Sequence, residues 1–257
     1  MSHPDCAFAY SQARLQARLG ARLGAADWQR LHATRDLGAL LQGAGNTSLA
    51  HWTRELDART TVHVAERTLR RRWLASVDEI AAWQPAPWRA AIAWLRWLAY
   101  LPALEKLARG GKASEWMRGD PLLGPIAAED LRQRAASVAR SPCAPLAGGF
   151  QAPVDVTGAW LRHWRTLWPG HDVAAAALER VLREVARARD SIASAPAGAS
   201  SSASFARLEK RLLVAFRRNP LSPVTSVAWL SLAALDMLQL RGATALRALH
   251  VTHESSA

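Results

Sequence analysis

An all-α fold is predicted by two features of the 257-residue sequence. Runs rich in Ala, Leu, Arg and Glu dominate it, and these are strong helix formers. Glycine and proline cluster at a few places instead of punctuating the chain every ten residues or so, as they would between the short strands of a sandwich or barrel. With half of the residues hydrophobic and 21% charged, the chain can bury a sizeable core, in one large or two modest domains.

The elements follow in order. From Ala7 to Leu23, Leu15, Leu19 and Leu23 recur at every fourth position, with Arg14, Arg18 and Arg22 one step behind them. This sets an apolar ridge beside a basic one on a single helix. Gly20 and Gly24 loosen its end, and Asp27 is placed to cap a second helix from Trp28 to about Gln42. After a turn at 43–48, Thr47 or Ser48 caps a long helix to Arg72 or beyond, with Trp52, Leu56, Val62, Ala65 and Leu69 among its apolar positions. Ser76 with Glu79 has capping-box spacing and predicts a short helix to Trp83. Pro85-Ala-Pro87 opens the next helix, which Pro102 kinks or divides. A loop is expected over Gly110–Gly124. A helix follows over Ile126–Arg140, with Glu129 and Asp130 at its positive end. Ser141–Pro153, with three prolines and two adjacent glycines, reads as the main internal boundary. Helices are expected at Val154–Trp168 and, capped by Asp172, at Val173–Ile192; a flexible Ser/Ala/Gly tract is expected at Ser194–Ser204. Phe205–Arg218 and Val224–Leu249 close the chain. The regions are then 1–140, 141–204 and 205–257, the last packing back on the first helix.

Net charge is +12, yet only three of the 33 basic residues are lysines. An Arg and Ala bias of this kind accompanies GC-rich genomes, so nucleic acid is not the expected partner, although an anionic partner surface fits. Cys6 and Cys143 form no CxxC pattern, which suits a reducing compartment. No charged segment followed by an apolar one opens the chain, so no signal peptide is expected. The longest uncharged stretch, Asn219–Leu235, falls short of the ~20 mainly apolar residues that span a bilayer. The expected protein is soluble or peripheral.

No catalytic constellation emerges. The eight histidines are scattered, without an HExxH pair or a Cys partner, and Gly43-Ala-Gly45-Asn46 lacks the GK[ST] ending and preceding strand of a phosphate loop. No cofactor or metal site is indicated, and the chain is not expected to be an enzyme. Twelve tryptophans are many for this length. The Trp160, Trp164 and Trp168 stripe reads as core, the alternative being an exposed aromatic patch that docks a partner. Arg70-Arg71-Arg72 and Arg217-Arg218 read as solvated helix ends whose charge complements the helix dipole, or as contacts to an acidic or lipid surface.

The two ends of the chain carry the more specific signal. The last segment, Pro220-Leu-Ser-Pro-Val through Trp229-Leu230 to Asp236-Met-Leu-Gln-Leu240-Arg241, is an apolar helix interrupted by a lone acid and a lone Arg, charges that need partners if buried. It resembles the closing helix of a central-stalk family of V-type/A-type ATPases, known as the C subunit and, in eukaryotic enzymes, as the d subunit. Tyr10-Ser-Gln-Ala13-Arg14-Leu15, leading to Leu19, Leu23 and Asp27-Trp28, resembles that family's opening helix, which begins Tyr-x-x-Ala-Arg. The resemblance implies a funnel-like bundle built from related helical units. It implies a non-catalytic protein on the cytoplasmic face of the membrane that couples the central shaft to the proteolipid ring during proton or sodium ion transport. Implied partners are the shaft subunits and the ring, with anionic lipid headgroups as a further contact. Tyr10, Ala13, Arg14, Asp236, Leu240 and Arg241 are the implied structural and interface residues, and Asp236 or Arg241 is expected to support packing between the terminal helices. The alternative reading is a basic helical protein that binds nucleic acid or another protein.

Overall fold

The computed structural model describes residues 7–127, 130–170, 173–193 and 202–254, and every regular element among them is helical. Glu129, the expected cap Asp172, most of the Ser194–Ser204 tract, and Cys6 lie outside the described residues. The chain forms two compact units, one of residues 1–92 with 170–257 and one of residues 93–169.

The first unit contains helices α1 (Ala9–Gly20), α2 (Ala25–Ala33), α3 (Leu37–Gly45), α4 (Ala50–Thr53), α5 (Val62–Ala82), α6 (Ala86–Ala93), α11 (Val173–Ala193), α12 (Ser202–Arg218) and α13 (Pro223–Glu254). Its centre is α13, which packs against α1, α3, α5, α11 and α12. Every residue from Pro223 to Leu230 is buried, as expected of an apolar helix surrounded by others. Further along one side reaches solvent, at Leu238 and Leu246. The window Pro223–Ala248 is long and apolar enough to cross a membrane by length and composition, so the apolar element outruns the expected Asn219–Leu235. However, 72% of the apolar 18-residue stretch within it is buried inside the protein, as in a core helix. A tight turn delivers α13 from α12: Leu221 takes a left-handed φ of 54°, and its N–H donates to Gln12 Oε1 on α1 at 3.1 Å.

Two predicted helices are divided, and one predicted division is absent. The expected 28–42 helix becomes α2 and α3 because Thr34 donates back to the Leu31 carbonyl at 2.7 Å and Asp36 caps α3 by accepting from the Ala39 N–H at 3.0 Å. Asp27 is not the N-cap of α2: it sits at the third helical position and accepts from the Gly24 N–H at 3.0 Å. The expected 48–72 helix breaks after Thr53, where Asp57 and Thr60 bond each other's backbone and side chains and offer the chain an alternative to helix. Thr61 then caps α5. Ser76 starts no new helix, because helix-compatible residues surround it and α5 runs through it to Ala82.

Arg247 on α13 is buried and has no carboxylate partner among the described residues. It donates to the carbonyls of His32 at 3.0 Å, Thr34 at 3.1 Å and Ala243 at 2.7 Å, so a cation closes the C-terminal end of α2, where the helix dipole favours positive charge. Arg247→Ala is expected to lower unfolding free energy by about 1.5–3 kcal/mol, the range for hydrogen bonds to a charged group. Urea denaturation checks this.

The second unit contains α7 (Leu101–Ala108), α8 (Glu115–Arg118), α9 (Leu131–Ala139) and α10 (Val156–Thr166), with 3₁₀ segments at Trp94–Ala99, Gly124–Ile126 and Ala144–Phe150. Pro102 occupies the first turn of α7, where its missing N–H costs nothing, and thus divides the expected helix. Asp130 caps α9 and Asp155 caps α10. The Pro- and Gly-rich segment 141–153 lies inside this unit, where its 3₁₀ stretch buries Leu146 and Phe150. It lies so close to α10 that a Cβ on Gly149 would stand 2.8 Å from the Asp155 carbonyl oxygen. Trp94 and Trp160 exchange indole N–H to carbonyl bonds at 3.3 and 3.4 Å, which fastens the first 3₁₀ segment to α10. Trp160 and Trp164 stack at 5.4 Å in the core, while Trp168 is half-buried. Arg134, also buried, donates to the carbonyl of Leu107 in the last turn of α7 and to that of Gly111 beyond its end.

Candidate functional site

The strongest concentration of charge in the first unit's interior lies where α13 passes the end of α1. The chain leaves α1 at Gly20, and Arg22, just beyond it, turns inward. The basic ridge of Arg14, Arg18 and Arg22 therefore passes from exposed at Arg14 to half-buried at Arg18 and Arg22, with the side chain of Arg22 the more covered of the two, because four residues overshoot one 3.6-residue turn and the helix ends before the last of them. Arg22 Nε donates to Asp236 Oδ2 and Nη2 to Asp236 Oδ1, both at 2.7 Å, forming a bidentate pair. Its Nη1 also bonds Glu209 of α12. Side-chain exposure is 9% for Arg22 and 8% for Asp236, so this pair has almost no water to replace either partner.

Burial pushes the Asp236 carboxyl above its ordinary range, with Arg22 pulling the other way. For Arg22, burial opposes the charge, but Asp236 and Glu209 together hold its pKa above the usual value. The arrangement offers no free nucleophile or base. Chemically it is a clamp joining the first helix to the last two.

A cleft of about 350 Å³ opens beside the clamp, lined by Arg18, His51, Arg72, Glu79 and Trp229 among others. Arg18 pairs with Glu79 at 2.7 Å, and its guanidinium lies over the rings of Trp83 at 4.6 Å and Trp229 at 5.5 Å. His51 is held by its Nδ1, 2.7 Å from the Ser48 carbonyl, and burial pushes its pKa below the ordinary value. Well above the ordinary histidine range it is uncharged in both folded and unfolded chains. As pH falls through the ordinary histidine range, the unfolded chain takes up the proton first, so stability should fall until pH reaches the lower folded value. Melting temperature measured from pH 7.5 to pH 5 should drop more for the wild type than for His51→Gln.

Asp236 and Leu240 are buried, and Asp236 alone of the six implied residues joins the clamp. Arg241 does not take up the expected packing role: its side chain is 50% exposed and pairs with Glu66 of α5. Ala13 is exposed. Tyr10 and Arg14 form an outer cluster with Trp83, the Arg14 guanidinium lying 5.0 Å from both ring centres. The basic triplet is not a helix end: Arg71 and Arg72 both pair with Glu55, Arg70 is buried, and α5 continues well past them. Arg217 and Arg218 do occupy the last turn of α12. Cys143 is a free, buried thiol whose pKa burial pushes up, the opposite of a reactive thiolate.

Sequence reasoning missed Arg22 and Glu209 as partners of Asp236, and Arg247 altogether. Arg22 did stand out as the last member of the basic ridge. No protein-family model matches the chain, and no match was found among curated proteins or among solved structures.

Proposed function

We propose that this chain is a non-catalytic rotor subunit of a V/A-type ATPase, coupling the central shaft to the membrane proteolipid ring in proton or sodium ion transport. The observation that supports this reading best is the buried Arg22–Asp236 pair. It ties together the two segments whose sequences resemble the opening and closing helices of the central-stalk family. A protein that passes torque must hold its terminal helices in fixed register, and a bidentate, desolvated Arg–carboxylate pair is a directional way to do so. On this reading the body is a funnel-like bundle of related helical units, placed peripherally on the cytoplasmic face of the membrane. The partners are the shaft subunits and the ring, with anionic lipid headgroups as a further contact.

The test is affinity purification of the tagged protein from gently solubilised membranes of its host at low salt, followed by identification of what accompanies it. Shaft and proteolipid subunits are the expected companions. Their absence, or recovery of nucleic acid in their place, would refute the reading in favour of the basic nucleic-acid-binding alternative.

A further inference from the structure

Outside the clamp, a surface dominated by positive charge lies between α11 and α12. A groove of about 450 Å³ between them continues into a second stretch of about 180 Å³, with Glu184 and Arg211 lining both. From Ala177 to Ser191 it follows α11 for roughly 21 Å, at about 1.5 Å per residue. Its sides carry Arg180, Arg187, Arg207, Arg211 and Arg218 against the single acid Glu184. Glu184 is already bonded to Arg187 at 2.8 Å, and the other four arginines have no ion-pair partner among the described residues. The floor is apolar, formed by Ala177, Val181, Leu208 and Leu212, which are buried in the seam of the two helices, with Val214 exposed at its edge. The neutral residues 194–201, which connect the two helices in sequence, carry no charge to complement it.

We propose that this groove docks an acidic amphipathic helix of a partner protein. An apolar floor between cationic walls selects a ligand with an apolar stripe flanked by carboxylates, and the groove length corresponds to about four helical turns. A nucleic-acid backbone would satisfy the arginines and leave the exposed Val214 at the groove's edge without an apolar partner. A bilayer surface is too flat to enter the groove. The proposal stands apart from the rotor reading, since it concerns a surface that neither terminal motif touches.

The probe is a fluorescein-labelled synthetic helix of about four turns with leucines at i, i+3, i+4, i+7 and glutamates on both flanks, read by fluorescence anisotropy. Arg211→Glu with Arg218→Glu should weaken binding at least about tenfold, and the milder Arg211→Gln with Arg218→Gln should weaken it by a smaller factor. Arg132→Glu with Arg140→Glu, the same charge change on exposed residues of the second unit, should leave binding within about twofold. A probe with serine in place of leucine should bind at least about tenfold more weakly. Circular dichroism confirms that the exposed substitutions keep the fold. No measurable binding, equal binding by the serine probe, or equal loss from both charge-reversal pairs would overturn the proposal. So would displacement of the probe by a single-stranded oligonucleotide or by phosphatidylglycerol vesicles in preference to unlabelled helix.

Discussion

Asp236→Ala should destabilise the first unit by about 3–5 kcal/mol, the cost of leaving a buried charge without its partner. The substitution strands the Arg22 guanidinium, 9% exposed, with only the half-exposed Glu209 for compensation. Asp236→Asn keeps one acceptor and should fall between the wild type and Asp236→Ala. Replacing both partners, as Arg22→Met with Asp236→Leu, should recover most of the loss, because neither charge then has to be desolvated. Urea denaturation of the three variants and the wild type provides the comparison. Arg241→Ala serves as the contrast: its pair with Glu66 is half-exposed, so its removal should cost no more than about 1 kcal/mol. A large loss at Arg241 with a small one at Asp236 would reverse the roles assigned to them.

Trp164→Ala should cost about 3–5 kcal/mol in the second unit, the range for truncating a buried aromatic. Trp164 is 1% exposed, stacks on Trp160 and meets Trp168 edge-on at 5.1 Å. Removing its indole leaves a cavity beside the reciprocal Trp94–Trp160 bonds, so the fixed placement of the 3₁₀ segment on α10 should loosen as well. Trp164→Phe fills part of the space and should lose less. Near-ultraviolet circular dichroism reports the aromatic packing, and a melt followed at the same wavelengths gives the stability change.

Helical character was legible in most elements because periodicity and composition are properties of the local sequence; the short α8, Glu115–Arg118, forms inside the expected Gly110–Gly124 loop, where one turn is too brief to show a period. The breaks were legible only where one residue type decides them, as Pro102 does at α7. Where polar side chains compete with the backbone, similar signals had different outcomes. Asp57 with Thr60 ended a helix, whereas Ser76 with Glu79 was carried inside one, because tertiary packing of α5 against α13 outweighs a local cap. The need of Asp236 for a partner could be deduced from its apolar surroundings. The identity of that partner could not, since Arg22 lies 214 positions away and nothing in the intervening sequence fixes their meeting. Arg241 looked equivalent to Asp236 on a helix that read as buried all round, but it falls on the side of α13 that reaches solvent. The limits of the compact units were equally hidden. One falls between Ile92 and Ala93, at the end of a continuous helix, while the conspicuous Pro/Gly segment at 141–153 serves close packing inside a unit.

The measurement that addresses the rotor proposal most directly is ATP-driven ion transport by membranes from the host after deletion of this chain, followed with a proton-sensitive dye and with labelled sodium. The account predicts that transport driven by the rotary ATPase disappears, that wild-type protein added back restores it, and that Asp236→Ala protein does not. Undiminished coupled transport in the deletion strain would contradict it.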